Sequence, residues 1–345
     1  MDGEIVNVEQ NNLKQERRFC SGIGWNFFIF LAVVMGIQMV IAYVVVNYCI
    51  ELYVNHFEIY FLLTMMPIYA IGYPLLVVLS KRRPAVTLEK HKLGAGNFMI
   101  LLLMCFGVMI AGNITGLIVN AVIGILKGSP VANPLDSMLG GNTLLMNIII
   151  VGICAPVFEE LIFRKLLVDR MARYGEAAAV VVSGLMFGLF HGNFSQFFYA
   201  ALLGGIFAYV YVKTGKIRYS IGFHMIINLS SSLILPVLQM VDYDKLTQLQ
   251  DVLSTAPDFA LQMISQEPET VIAVLILIFY EFALYGMAIA GIILLILKRK
   301  KFTFKKGMIV LPKGKRAAVI WGNIGMIAFT AGCLFEFVST IFLQG

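Results

Sequence analysis

The sequence predicts an all-α, polytopic membrane protein with about nine transmembrane helices, eight being the alternative count, and a cytoplasmic N-terminus. Composition is the first reason: of 345 residues 59% are hydrophobic and only 13% are charged, and the mean hydropathy is +0.86. A soluble protein has roughly a quarter of its residues charged. The other two reasons are a series of long apolar segments and a one-sided distribution of basic residues. Together they exclude a soluble globular domain.

Nine segments approach the roughly 20 apolar residues that a spanning helix needs. They are 25–48, 59–80, 97–126, 143–163, 177–191, 195–212, 219–240, 271–297 and 317–343. The fifth and sixth are the least distinct, because only residues 191–194 separate them. The polar first two dozen residues do not resemble a signal peptide. The five cysteines are scattered, so they indicate neither a disulfide framework nor a clustered metal site.

The basic residues predict the orientation. With a cytoplasmic N-terminus, 24 of the 26 lysines and arginines fall in cytoplasmic segments, and only Lys127 and Lys245 fall outside. This asymmetry is what the positive-inside rule describes. The acidic 241–269 loop is then extracytoplasmic. We expect a multi-pass protein of the cell membrane whose partners are lipid and a membrane-associated protein or peptide, without nucleic acid; the oligomeric state stays open.

Ionisable residues inside the apolar segments are the main functional signal. A charge near the bilayer centre costs at least ~2.5–3.5 kcal/mol, so such groups usually face the protein interior and have a use. The ionisable residues in question are Glu159, Glu160, Arg164, His191, His224, Glu281 and Glu336. A polar contact that joins helices is the structural alternative for each of them.

The glutamate pair predicts a catalytic base. Arg164 follows Glu160 by four residues and shares its helical face, so the two can form an ion pair. Glu159 lies about 100° round the helix from Glu160, because a helix has 3.6 residues per turn. Glu159 is thus left uncompensated and free to accept a proton, as a general base must. Pro156 removes a backbone hydrogen bond and predicts a kink just before the pair.

Two histidines and an amide follow on later segments. His224 and Asn228 are spaced i, i+4 and can address one atom. His191 ends a segment with small residues at four-residue intervals, which let helices approach closely. Those small residues are Gly184, Gly188 and Gly192.

Depth along the helices predicts a shared cavity. At 1.5 Å per residue, Glu159 lies roughly 15–20 Å from the cytoplasmic surface, and His224 and Asn228 about 9 and 15 Å from Arg218. His191 is deeper by several ångströms, which requires a tilted helix or a break near the glycine that follows it. We expect a water-filled cavity in the cytoplasmic half, open to the cytoplasm or laterally to lipid.

The ordered set Glu-Glu-x-x-x-Arg, Phe-x-x-x-His and His-x-x-x-Asn resembles the CPBP family of intramembrane proteases. That family includes the type II CAAX prenyl endopeptidases and bacteriocin-processing or immunity proteins. The resemblance covers roughly residues 140–235, and each motif matches without substitution. It implies a membrane-embedded endopeptidase.

Carried onto this chain, the resemblance implies that Glu159 activates a water, which His191 helps to hold or polarise. His224 and Asn228 would stabilise the tetrahedral oxyanion. The supporting residues would be Glu160, Arg164 and Phe187. No cofactor is required by these roles, but zinc is an open alternative, with His191, His224 and Glu159 as its ligands. We favour the metal-free route.

The chain divides into three predicted regions: 1–139 with the N-terminal tail and the first three spans, 140–240 with the catalytic core, and 241–345 with a loop and the last two spans. Two other functions remain open. A non-catalytic immunity or sensor protein could retain the same scaffold. A proton-coupled transporter would use Glu281 and Glu336 as relay groups, although the sequence shows no internal duplication.

Overall fold

The computed structural model describes residues 6–7, 12–241 and 268–343. The helices are α1 (Leu13–Tyr48), α2 (Ile50–Asn55), α3 (Phe57–Ser80), α4 (Ala95–Lys127), α5 (Pro134–Gly140), α6 (Leu144–Tyr174), α7 (Glu176–Phe190), α8 (Phe194–Thr214), α9 (Ile217–Gln239), α10 (Pro268–Lys298), α11 (Arg316–Ile320) and α12 (Ile324–Leu343). Two short strands, β1 (Val6–Asn7) and β2 (Ile309–Val310), pair in parallel. Most of the predicted 241–269 loop, residues 242–267, lies outside the described residues.

The all-α membrane class is confirmed, with the alternative count of eight long spans. Within the described ranges, eight helices are long and apolar enough to cross a membrane, and α7 is a shorter apolar helix of 15 residues. That length rises only about 22 Å, less than the ~30 Å hydrocarbon core. The chain turns back at residues 191–193, so α7 and α8 form a hairpin.

The predicted start of the last span, 317–343, is wrong, because the spanning helix begins at Ile324. The structure divides the predicted segment into α11 and α12, with a turn at residues 321–323. The side-chain oxygen of Asn323 accepts a hydrogen bond from the backbone N–H of Met326 at 3.1 Å and so caps α12. A polar cap inside an apolar segment therefore moves the start of the span to Ile324.

The α7–α8 hairpin packs closely through small residues, as the glycine spacing predicts. A Cβ added to Gly184 would lie 2.7 Å from the carbonyl oxygen of Ala201, and one added to Gly188 would lie 2.8 Å from that of Phe197. The connecting turn uses Gly192 in the left-handed region, with φ of +65°. The break that His191 requires is thus present one residue after it.

The basic residues cluster in five segments, near 14–18, 81–92, 164–173, 213–218 and 298–316, which meet at one end of the bundle. Ion pairs that join them are Glu16–Arg173 (3.4 Å), Glu89–Lys305 (2.8 Å) and Glu176–Lys213. Lys305 holds the pKa of Glu89 below its usual value, because the carboxylate accepts a hydrogen bond from its ammonium group. Lys127 lies at the opposite end and donates to the carbonyl of Ile341 at 2.6 Å. The charge asymmetry read from the sequence is therefore a real asymmetry of the fold.

Two stretches of α6 have wide π-type hydrogen bonding, and they flank the glutamate pair. The first covers Asn147–Cys154 and the second Leu161–Val168, with an α-helical turn, Ala155–Glu160, between them. Such stretches are frequent at functional sites. Pro156 lies at the start of the α-helical turn and cannot donate to the turn before it. The wide stretch before Pro156 accommodates this missing bond.

Candidate active site

The four residues predicted to be catalytic line one cavity of about 400 Å³ inside the bundle. Helix α6 supplies Glu159, the end of α7 supplies His191, and α9 supplies His224 and Asn228. Most of the remaining wall is apolar, with side chains from α1, α3, α4 and α5. A few polar groups within an apolar pocket are the usual composition of a ligand site.

Glu160 lies behind this cavity in a buried ion pair. Both Glu160 and Arg164 are completely buried, and Arg164 Nε lies 3.0 Å from Glu160 Oε2. The other carboxylate oxygen, Oε1, lies 3.2 Å from His224 Nδ1. Glu160 therefore orients two neighbours and has no access to the cavity. This is the ion pair that the i, i+4 spacing predicts.

Glu159 takes the other position that the helical geometry allows. Its side chain is 21% exposed, against 0% for Glu160, and its Oε2 lies 3.6 Å from His224 Nε2. His224 is thus placed between the two carboxylates, with one ring nitrogen towards each. Because Glu159 opens onto the cavity and Glu160 does not, Glu159 is the member of the pair that a bound water can reach.

Aromatic rings cover the guanidinium of Arg164. Its Cζ lies 4.8 Å from the ring centroid of Phe187 and 5.5 Å from that of Phe207. The 3.0 Å contact with Glu160 lacks hydrogen-bond alignment, and no acceptor for the three guanidinium nitrogens is found in the described part of the chain. Ring faces attract a desolvated cation. Phe187 and Phe207 therefore separate Arg164 from the cavity.

His191 is held in one tautomer by its own helix. Its Nδ1 lies 2.8 Å from the carbonyl oxygen of Phe187, so Nδ1–H donates and Nε2 is the free acceptor of the neutral ring. The ring of Phe187 makes edge contacts with both His191 (4.8 Å) and His224 (5.6 Å). Phe187 thus fixes the two imidazoles through its ring and its backbone.

Asn228 is oriented by a carbonyl that Pro156 leaves without a partner. In the wide stretch before Pro156, Ala155 N–H bonds to Ile150 five residues earlier. The next donor in that series would be residue 156, which has no N–H, and its acceptor would be Val151. Instead, Asn228 Nδ2 donates to Val151 O at 2.9 Å. The second N–H of this amide remains for a ligand.

The described residues do not form a preformed zinc site. No group of three or more His, Cys, Asp or Glu side chains in these ranges has a metal-ligand arrangement. The Nδ1 atoms of both histidines are engaged, by Phe187 O and by Glu160, so Nε2 is the ring nitrogen that each presents to the cavity. Without a group of ligands among the described residues, the site does not fit a zinc ion as it stands, and we derive no step through one.

The structure separates the two glutamates that the sequence treats alike. Glu281 is exposed on the outer face of α10, away from the cavity. Glu336 on α12 is half-buried and lines the cavity, next to Gly192. The sequence does not predict Glu336 at the site, because no local motif joins α12 to the other elements. Tyr69 and Tyr199 also line the cavity, and no local motif predicts them either.

A carboxylate, two histidines and an amide thus face one cavity inside a bundle of apolar helices long enough to span a membrane. The chain is an integral, multi-pass membrane protein. Residues 141–230 match the family described as type II CAAX prenyl endopeptidase Rce1-like. The matched segment contains the three motifs, so this similarity agrees with the resemblance that they carry. Neither a search of curated proteins nor a search of solved structures gave a match.

Proposed function

We propose that the protein is an intramembrane endopeptidase that hydrolyses a peptide bond of a membrane-associated protein or peptide with a water activated by Glu159. The exposure of this carboxylate to the cavity carries the proposal, since its neighbour Glu160 is sealed behind it with Arg164. The match to an Rce1-like family supports peptide hydrolysis as the reaction. Substrates of the CAAX type and leader peptides both suit an apolar cavity within a membrane.

In this mechanism Glu159 removes a proton from the water while the water oxygen attacks the carbonyl carbon of the scissile bond. His191 Nε2 accepts a hydrogen bond from the same water, because its Nδ1–H is committed to Phe187 O. When the tetrahedral intermediate breaks down, the proton on Glu159 passes to the leaving nitrogen. The carbon–nitrogen bond breaks and the base is restored.

Charge on the carbonyl oxygen is stabilised by His224 and Asn228. Donors aimed at the developing oxyanion are worth about 10²–10³ in rate each. Asn228 retains one amide N–H after bonding to Val151. His224 donates from Nε2 as the imidazolium, because its Nδ1–H is committed to Glu160. Glu160 and Arg164 hold His224 in this orientation.

The protein is proposed to lie in the cell membrane with the basic end of its bundle facing the cytoplasm, because lysine and arginine favour that side. From that end, Glu159 lies 15 residues before Tyr174, about 22 Å. His224 lies 7 residues after Ile217, about 10 Å. The neighbouring helices therefore carry the site towards the middle of the membrane from the cytoplasmic side.

The test is cleavage by purified protein in liposomes, with a prenylated CAAX peptide, its unprenylated form and a leader peptide as substrates. We expect the wild type to cleave at least one of them into two fragments whose summed mass exceeds the mass of the substrate by one water. Glu159→Gln should abolish cleavage. Glu281→Gln is the matched control, because it removes a spanning-segment carboxylate on the outer face, and it should cleave normally.

Absence of cleavage of every peptide by correctly folded wild type, together with Glu281-dependent proton flux, would replace the proposal with a transporter. Peptide binding without cleavage or flux would instead support the non-catalytic alternative. Stoichiometric bound zinc that is lost in His191→Ala and His224→Ala, and needed for cleavage, would overturn the metal-free mechanism.

A further inference from the structure

Glu336 is a carboxylate in the cavity wall without a described partner. It projects from α12 onto the turn that follows His191: a Cβ added to Gly192 would lie 2.7 Å from Glu336 Cβ. Thr340, one turn later, donates to the carbonyl of Gly192 at 3.2 Å, which fixes α12 against that turn. Glu336 thus belongs to the same cavity as Glu159 but lies at the end formed by the α7–α8 turn.

The charges around the cavity are unbalanced. Its lining contains two carboxylates, Glu159 and Glu336, and no lysine or arginine among the residues that the structure describes. Arg164 is engaged with Glu160 behind aromatic rings. Lys127, near the end of α12, is not part of the lining, and its ammonium is taken by a backbone carbonyl. The described chain therefore offers Glu336 no cation.

We propose that Glu336 determines specificity by binding the ammonium or guanidinium group of a lysine or arginine in the substrate. A half-buried carboxylate within a membrane span is costly unless it is paired, and a cationic substrate side chain would supply the missing charge. A substrate carboxylate at the same end would be repelled, which gives discrimination in both directions. The substrates are then peptides with a basic residue on one side of the scissile bond. This inference rests on the proposed function, since it deepens the assignment of that site.

Binding and cleavage of a peptide set test this proposal. The set keeps one sequence and places lysine, glutamine or glutamate at each position around the scissile bond. Affinity is measured in the Glu159→Gln background, where no substrate is consumed, and cleavage is measured with Glu159 intact. We expect one position at which the lysine peptide binds and is cleaved at least about tenfold better than the glutamine peptide, as a desolvated charge pair predicts.

Substitutions at Glu336 then assign the preference. Glu336→Gln should remove the lysine preference at that position, and Glu336→Lys should reverse it in favour of glutamate. Glu281→Gln should leave the preference unchanged. The reversal is a readout that a merely structural role of Glu336 would not produce, and folding of each variant is checked by its melting temperature.

The two proposals fail in different ways. A lysine preference that is equal in wild type and in folded Glu336→Gln, or no charge preference at any position, would overturn the role of Glu336 even if cleavage depends on Glu159. Conversely, the wild type could bind the lysine peptide preferentially, lose this preference in Glu336→Gln, and cleave no peptide. That result would support the cation-binding site and overturn the peptidase.

Discussion

At the scale of single residues, the spacing in the sequence predicts which side chains share a face, because each motif lies on one helix. Glu160 pairs with Arg164, and Glu159 points elsewhere, since these relations depend only on helical periodicity. The contact between His224 and both glutamates joins residues more than 60 positions apart, so no local pattern contains its geometry. The position of Glu336 at the cavity is not contained in a local pattern either. Tertiary packing of α12 decides its position.

The buried ion pair gives a prediction on stability. Glu160→Leu and Arg164→Leu should each lower stability by about 3–5 kcal/mol, because each leaves a buried charge without its partner. The double variant should be more stable than either single variant, since both charges are removed. Thermal unfolding in detergent, followed by tryptophan fluorescence, measures this. If the stability loss of the double variant equals the sum of the two single losses, the two side chains do not interact in the folded protein.

The double variant also separates stability from function. It should remain inactive even though it folds, because His224 loses the carboxylate that holds its Nδ1 at 3.2 Å. Cleavage at the wild-type rate by the double variant would mean that Glu160 has no part in orienting His224.

At the scale of elements, α6 joins backbone irregularity to the site. The sequence predicts a break at Pro156, but it does not predict that the vacated carbonyl of Val151 would accept a hydrogen bond from Asn228 on α9. Similarly, the glycine spacing predicts the close α7–α8 packing, whereas the short length of α7 follows from its turn at Gly192. In both cases the sequence does not show which neighbouring residue forms a hydrogen bond with a given backbone group.

Pro156→Ala tests this link between helix and amide. Alanine restores an N–H that can bond to the carbonyl of Val151, so it competes with Asn228 for its acceptor. We expect a folded protein of equal or higher melting temperature whose kcat falls by about tenfold or more through the misplaced oxyanion donor. The measurement is kcat for a cleaved peptide beside the melting temperature.

Pro67→Ala is the matched control for that variant. Pro67 also adjoins a wide π-type stretch of a spanning helix, but its stretch, Ile68–Gly72 in α3, follows the proline instead of preceding it. Neither proline lines the cavity. Pro67→Ala should leave kcat near the wild-type value. An equal loss of activity in the two variants would show a general effect of proline removal and would contradict the role of Val151.

For the molecule as a whole, composition and charge distribution were enough to predict the membrane class and which segments share a side. They could not count the crossings, because α7 is apolar but only 15 residues long. An apolar composition does not show where a helix ends, and therefore does not show whether it is long enough to cross. The contacts of Glu16, Glu89 and Glu176 with basic segments now place those segments at one end.

Cysteine labelling checks the orientation proposed for that end. In a variant whose exposed Cys49 is replaced by serine, Lys306→Cys should react with an impermeant maleimide only after the membrane is opened. Lys127→Cys, at the opposite end, should react in intact cells. The reverse pattern of labelling would place the basic end outside and contradict the proposed topology.

The central claim is that Glu159 is the base that activates water. The most direct measurement compares kcat of wild type and Glu159→Gln for a peptide that the wild type cleaves, with the Kd of the same peptide measured in parallel. We predict that kcat falls by about 10²–10⁴-fold while Kd changes little, because glutamine keeps the shape of the side chain but cannot accept the proton. A folded Glu159→Gln protein with wild-type kcat would contradict the account.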